Sequence, residues 1–157
     1  MMPITMQDVR FYLDAEEVNY NRAKELGAEA IPFLMALVQG EDLALAAKAT
    51  YLASLIRTEG AVAILQTAAA SPEAVVRVAA ASSLRNLPEV QAEQVLDQLV
   101  DDPDAGIRKV TLNSARQFRS LEIEAKLQQV AETDSEDFVR NAAASTVRVM
   151  QRKRQLP

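Results

Sequence analysis

The residues most able to do chemistry in this chain are arginines at regular intervals. Arg77, Arg108 and Arg140 step by 31 and 32 residues, and Arg85, Arg116 and Arg148 each follow one of them by eight. A guanidinium stays protonated and offers a planar fork of donors, so a periodic series of them suits the recognition of carboxylate or phosphate groups. Proton transfer by the common imidazole route is excluded, because the sequence has no His, and thiol chemistry is excluded with it, because there is no Cys. The usual zinc sites disappear for the same reason. Oxygen-ligated metals require clustered carboxylates, and Asp101, Asp102 and Asp104 form the one dense group. Its place at a turn reads as helix capping. The four Gly residues are scattered, so no glycine-rich phosphate loop exists. The adjacent pairs Glu16-Glu17 and Glu136-Asp137 read as solvated or capping groups, since neighbours on a helix do not face each other. The expectation is a chain without catalysis and without cofactor.

What must position the arginines is a repeated element. The segments Pro72-Glu-Ala-Val-Val-Arg77-Val-Ala-Ala-Ala, Pro103-Asp-Ala-Gly-Ile-Arg108-Lys-Val and Ser135-Glu-Asp-Phe-Val-Arg140-Asn-Ala-Ala-Ala are copies of one another. A fainter copy runs from Glu41 to Leu52, with Leu45 read in the Arg place. Leu34, Leu65, Leu96 and Leu127 recur every 31 residues in a second, phase-locked register. Each unit therefore holds two helices, the first centred on the Leu series and the second on the Arg series. Ser71-Pro72, Asp102-Pro103 and Asp134-Ser135 read as starts of the second helices, with Glu73, Asp104 and Glu136 in the positive first turn. Val76, Ala79, Ala80 and Leu84, matched by Val139, Ala142, Ala143 and Val147, make one buried stripe. No hairpin of this size buries such a stripe alone, so the hairpins must stack.

Composition agrees. The 157 residues are 49% hydrophobic and 25% charged with only 4% aromatic, while Ala supplies 27 positions, so burial falls to small aliphatic side chains on closely approaching helices. The predicted fold class is all-α: an α-solenoid of about four stacked helical hairpins behind an N-terminal helical cap. The boundaries are residues 1–26 for the cap, 27–57, 58–87, 88–119 and 120–152 for the units, and 153–157 for a frayed basic tail. Val9, Leu13, Val18 and Leu26 supply the apolar contacts of the cap, and 16–27 reads as a degenerate second helix with Asn19 in the Arg place. Gly27, Gly40 and Gly60 read as helix stops. No apolar run approaches the ~20 residues of a membrane span, and the N-terminus lacks a signal-peptide layout, which makes a cytoplasmic location the expectation.

These residues resemble the HEAT repeat family, in particular its short bacterial form related to phycobilisome-lyase repeats. Gly27-Ala-Glu-Ala-Ile-Pro32-Phe-Leu-Met-Ala-Leu37 resembles the first helix of that family. The likeness spans 27 to about 152. Tetratricopeptide arrays fit less well, because their period is roughly 34 with a characteristic Trp, and this chain has none. The resemblance implies that the first helices form a convex face and the second helices a concave one. It also implies that Arg77, Arg108 and Arg140 link adjacent repeats to acidic groups near the turns.

Charge then sorts by layer. The net −5 divides into −8 over residues 1–102 and +3 over 103–157. The first-helix segments 88–102 and 121–135 are acidic, whereas the second-helix segments 104–119 and 136–154 are basic at +3 each. The expected partner-binding residues are Arg85, Lys109, Asn113, Arg116, Asn141 and Arg148, with Ser82 and Ser145 along the same face. The expected partner is a protein, through an acidic segment. The alternatives are a nucleic-acid backbone on the basic C-terminal half, which the pI of 4.8 disfavours, and a phycobilisome-lyase-like accessory role. Enzymes built on related repeats demand more than is present: DNA glycosylases use concave aromatics, and metal hydroxylases use His-Glu pairs.

Overall fold

A computed structural model describes residues 2–157, and every regular element among them is helical. After a short α1 (Met6–Leu13) and a single turn α2 (Tyr20–Ala23), two 3₁₀ turns broken at Gly27 lead into the first of four hairpins. The hairpins are α3 (Ile31–Val38) with α4 (Leu43–Leu55), α5 (Glu59–Ala69) with α6 (Ala74–Ser83), α7 (Glu89–Leu99) with α8 (Ala105–Ser114), and α9 (Leu121–Thr133) with α10 (Asp137–Gln155). The sequence explains their ends. Thr5 and Asp8 close a capping box on α1, and Asp42, Asp104 and Ser120 each accept a hydrogen bond from a first-turn amide of the helix that follows.

One core runs the length of the stack. Leu34, Leu65, Leu96 and Leu127 are all fully buried, and truncating any of them to Ala is a loss on the order of 2–5 kcal/mol. Between them lie alanines such as Ala46, Ala49, Ala80 and Ala143, whose small side chains let the second helices approach. The stripe on α6 and α10 is narrower than its sequence implies: Val76, Ala80, Leu84, Val139, Ala143 and Val147 are buried, while Ala79 and Ala142 are half-buried.

The second helices pack as a continuous row, α4 on α6, α6 on α8 and α8 on α10. The first helices do not. Helix α3 packs on α5 and α5 on α7, but α7 and α9 approach less closely, with a groove of about 380 Å³ between them above the shared core. Lys126 and Asp97 bridge that groove as an ion pair. The second-helix row is the more closely packed of the two.

Several local readings need correction. The second helices start at the N-caps Glu73, Asp104 and Glu136, two residues beyond the expected positions. The reason is that the Ser71 Oγ, Asp102 Oδ1 and Asp134 Oδ1 accept the amides of Glu73, Asp104 and Glu136 at 3.1, 2.9 and 3.0 Å, closing turns ahead of the helices. Counting from those caps and from Asp42, the residue three on is Leu45, Val76, Ile107 or Val139, each buried. The Arg place, four on, is therefore held in the first hairpin by Ala46 and not by Leu45. Gly60 lies in the first turn of α5 and stops nothing; a Cβ there would meet Ile31 at 2.8 Å, so the helix start is pressed against α3. Gly27 has a φ of 70° and does break the chain direction. In the cap, Val9 and Leu13 are fully buried, but the degenerate second helix shrinks to α2, with Asn19 as its N-cap. Lys48 fastens the cap by donating to the Leu13 carbonyl. At the other end Arg152, Lys153 and Arg154 form the last turn of α10 and are not frayed, because Arg154 folds back onto the buried Glu124 of α9.

Candidate partner-binding face

The two arginine series do different work. Arg77, Arg108 and Arg140 each donate through Nη1 to the carbonyl six residues back, Ser71, Asp102 and Asp134 respectively, and so close their own turn. Arg77 and Arg108 also reach the next hairpin. Arg77 Nε lies 2.8 Å from Asp102 Oδ2, and Arg108 grips both oxygens of Asp134 at 2.9 and 3.0 Å. A bidentate guanidinium and carboxylate with a shared carbonyl leaves few donors unsatisfied, which is the condition for a desolvated pair to hold. The hydrogen bond from Arg108 holds the Asp134 carboxyl below its ordinary range, and the same bond raises the guanidinium further. Arg140, in the last of the described hairpins, turns to Asp137 within its own helix, an aspartate 87% exposed. The Asp101–Asp104 group is accounted for here: Asp102 belongs to this ladder and Asp104 is a cap.

The second series lies elsewhere on the same helices. On α8, Lys109, Asn113 and Arg116 are exposed at steps of four and three, which places them on one side of the helix and its end. On α10 the equivalents are Asn141, the half-buried Ser145, and Arg148, continued one turn on by Arg152. On α6, the half-buried Val78 and Ser82 lead to the exposed Arg85 just after its end. All six residues expected to contact a partner are thus exposed, on neighbouring second helices or directly after them. Among the described residues no carboxylate pairs with Arg85, Lys109, Arg116 or Arg148; Arg85 Nε donates only to the Ser82 carbonyl, at 2.9 Å. Phe118, two residues after Arg116 and next to Arg119 in the chain, is buried in the core, whereas Phe138 is partly exposed.

The face changes character toward the N-terminus. Nine residues after the N-caps stand Tyr51, Ser82, Asn113 and Ser145, so the polar series begins with an aromatic ring. Tyr51 meets Tyr20 edge to face at 4.7 Å, and burial raises the Tyr20 hydroxyl above its usual range, with Tyr51 adding to the rise. Together with Asn19, Asn21 and Leu55 they line a groove of about 620 Å³. Sequence reasoning missed this pair. The signal was present as the register of Tyr51 with Ser82, but the faint first copy was aligned one residue out.

Polar links also join the far ends of the second helices. Asn86 Nδ2 donates to Ser54 Oγ at 2.9 Å, and the Gln117 amide donates to the Arg85 carbonyl. These positions are 32 residues apart in each case, so the repeat is stitched at both edges.

No helix among the described residues is long and apolar enough to cross a membrane. No curated protein matches the chain. Residues 63–148, more than half of it, match the family model for HEAT repeats. With packed helical pairs and a rung of arginine and aspartate between them, the chain belongs to the HEAT repeat family.

Proposed function

We propose that the chain is a non-catalytic adaptor that holds an acidic segment of a partner protein along its second-helix face, through Arg85, Lys109, Asn113, Arg116, Asn141 and Arg148. HEAT repeats generally serve as protein-interaction scaffolds, and such a role needs a fixed curve and a sorted surface more than a pocket. The observation that supports the reading is the division of the arginines. One series is consumed by the structure, while the other stands exposed on three adjacent hairpins with no carboxylate of its own. Exposed cations gathered on one face raise the local concentration of anionic partners and are screened by salt.

The test is affinity capture from the source lysate with wild type beside Arg85→Glu/Arg116→Glu/Arg148→Glu, after circular dichroism shows that both melt alike. A protein retained by wild type and lost by the variant supports the adaptor. Equal retention overturns it. Co-purifying nucleic acid, or a visible absorbance from a bound tetrapyrrole, replaces it with one of the two alternative readings.

A further inference from the structure

The ladder has a vacated rung. At the second and third junctions the Arg place holds Arg77 and Arg108, and the acceptors are Asp102 and Asp134. At the first junction both partners change together: Ala46 stands in the Arg place, and Ser71 stands where the Asp belongs. The carbonyl that a guanidinium would cap there is that of Gly40, which no described hydrogen bond reaches. A groove of about 910 Å³ opens at this spot, lined by Gly40, Glu41, Ala70, Ser71, Glu73 and Val76 among others. The corresponding groove at the next junction is about 430 Å³, and Arg77 and Asp102 line it. None of the residues lining the first groove is cationic, while two are glutamates.

We infer that this groove receives an arginine side chain from a basic, apolar-flanked segment of a partner protein, which completes the rung from outside. The chemistry is set by what surrounds it. The Gly40 carbonyl and the Ser71 hydroxyl stand where the native rungs place a carbonyl and a carboxylate. Glu41 and Glu73 supply the negative charge that Ser71 lacks, and Val38, Leu43 and Val76 offer apolar contact to the residues on either side. A planar fork of donors fits that set better than an ammonium does. The site is independent of the basic face: it sits on the edge formed by the turns within hairpins, attracts the opposite charge, and lies in the −8 part of the chain.

The probe is the blocked peptide Ac-Ala-Leu-Arg-Leu-Ala-amide beside its citrulline twin, which keeps the shape and loses the charge, titrated into ¹⁵N-labelled full-length protein. The expected result is amide shifts confined to Gly40, Ala70, Ser71 and Glu73. Affinity should fall about tenfold with citrulline, and by a similar factor in Glu41→Gln/Glu73→Gln. Equal binding of the twins, shifts centred on other residues, or binding indifferent to the two Gln substitutions overturns the inference. Ala46→Arg/Ser71→Asp installs the rung in cis. It is expected to melt higher than wild type and to lose the peptide, and a folded variant that still binds the peptide at wild-type affinity also overturns the inference. Should that variant not fold, the Gln pair decides. Self-association of wild type that the peptide disperses would assign the groove to a second copy of this chain and overturn the partner reading.

Discussion

Between the second and third hairpins, and again between the third and fourth, a guanidinium crosses the junction to a largely desolvated carboxylate; between the first and second, the same two places hold a buried alanine and a serine. The apolar contacts are similar at all three, for Leu34, Leu65, Leu96 and Leu127 are equally buried and Leu45, Val76, Ile107 and Val139 fill one register. The comparison separates two jobs. Aliphatic burial makes the hairpins stack, and it does so at the first junction without any rung. The rung adds orientation: a bidentate pair that also closes a turn admits little error in the relative placement of two hairpins, and hydrophobic contact alone is non-directional.

Breaking a complete rung should have the largest effect. Arg108→Ala leaves Asp134, only 7% exposed, without its cation and is expected to destabilise by about 3–5 kcal/mol in urea unfolding. The paired change Arg108→Met/Asp134→Leu removes both charges and is expected to cost far less. If the single and paired variants lose the same stability, the rung orients nothing. Acid should act on the same place. Because Arg108 depresses the Asp134 carboxyl, its contribution is complete above the unfolded value of about 4 and is lost as pH falls through the lower folded value. The wild-type stability profile should therefore slope downward below that pH more steeply than that of Asp134→Asn. At the junction without a rung, the cross-repeat bond from Asn86 to Ser54 is the polar link, and Asn86→Ala is expected to cost about 1 kcal/mol. Smallest is Arg140→Ala, whose aspartate is solvent-exposed, at about 0–1 kcal/mol by thermal melt. A loss there as large as for Arg108 would mean that closing the turn, and not bridging hairpins, is what the series does.

The repeat was legible because burial dictates it twice. A 31-residue Leu series and an Arg series both follow from stacking identical hairpins, and chance does not keep two registers in phase. The exposed face was legible for a related reason: on a helix already assigned its buried stripe, the opposite positions are determined by geometry, and Lys109, Asn113, Arg116 and Arg148 fell there. Capping was misread because an Asp before a helix supports two local structures. At Asp102 and Asp134 the side chain serves a turn and the ladder, and the helix opens two residues later. The shift at Ala46 escaped because a small residue in place of Arg carries no pattern of its own; only the Asp42 cap shows it. The order of the last turn of α10 could not be read from a run of basic residues, since it depends on Glu124 meeting Arg154 across the hairpin.

The gap between α7 and α9 has a mechanical meaning. A stack of rods packed closely along one row and loosely along the other depends on its cross-ties for its angle, and here the loose joint is local. Helix α8 remains packed on α10, while across the outer layer one lysine and one aspartate span a groove of about 380 Å³. The outer layer is therefore most loosely packed at the junction that the best-formed rung crosses. The bidentate pair of Arg108 and Asp134 crosses the same junction, so the outer layer can open there only by breaking that rung, and the placement of Arg148 and Arg152 relative to Lys109 and Arg116 depends on it.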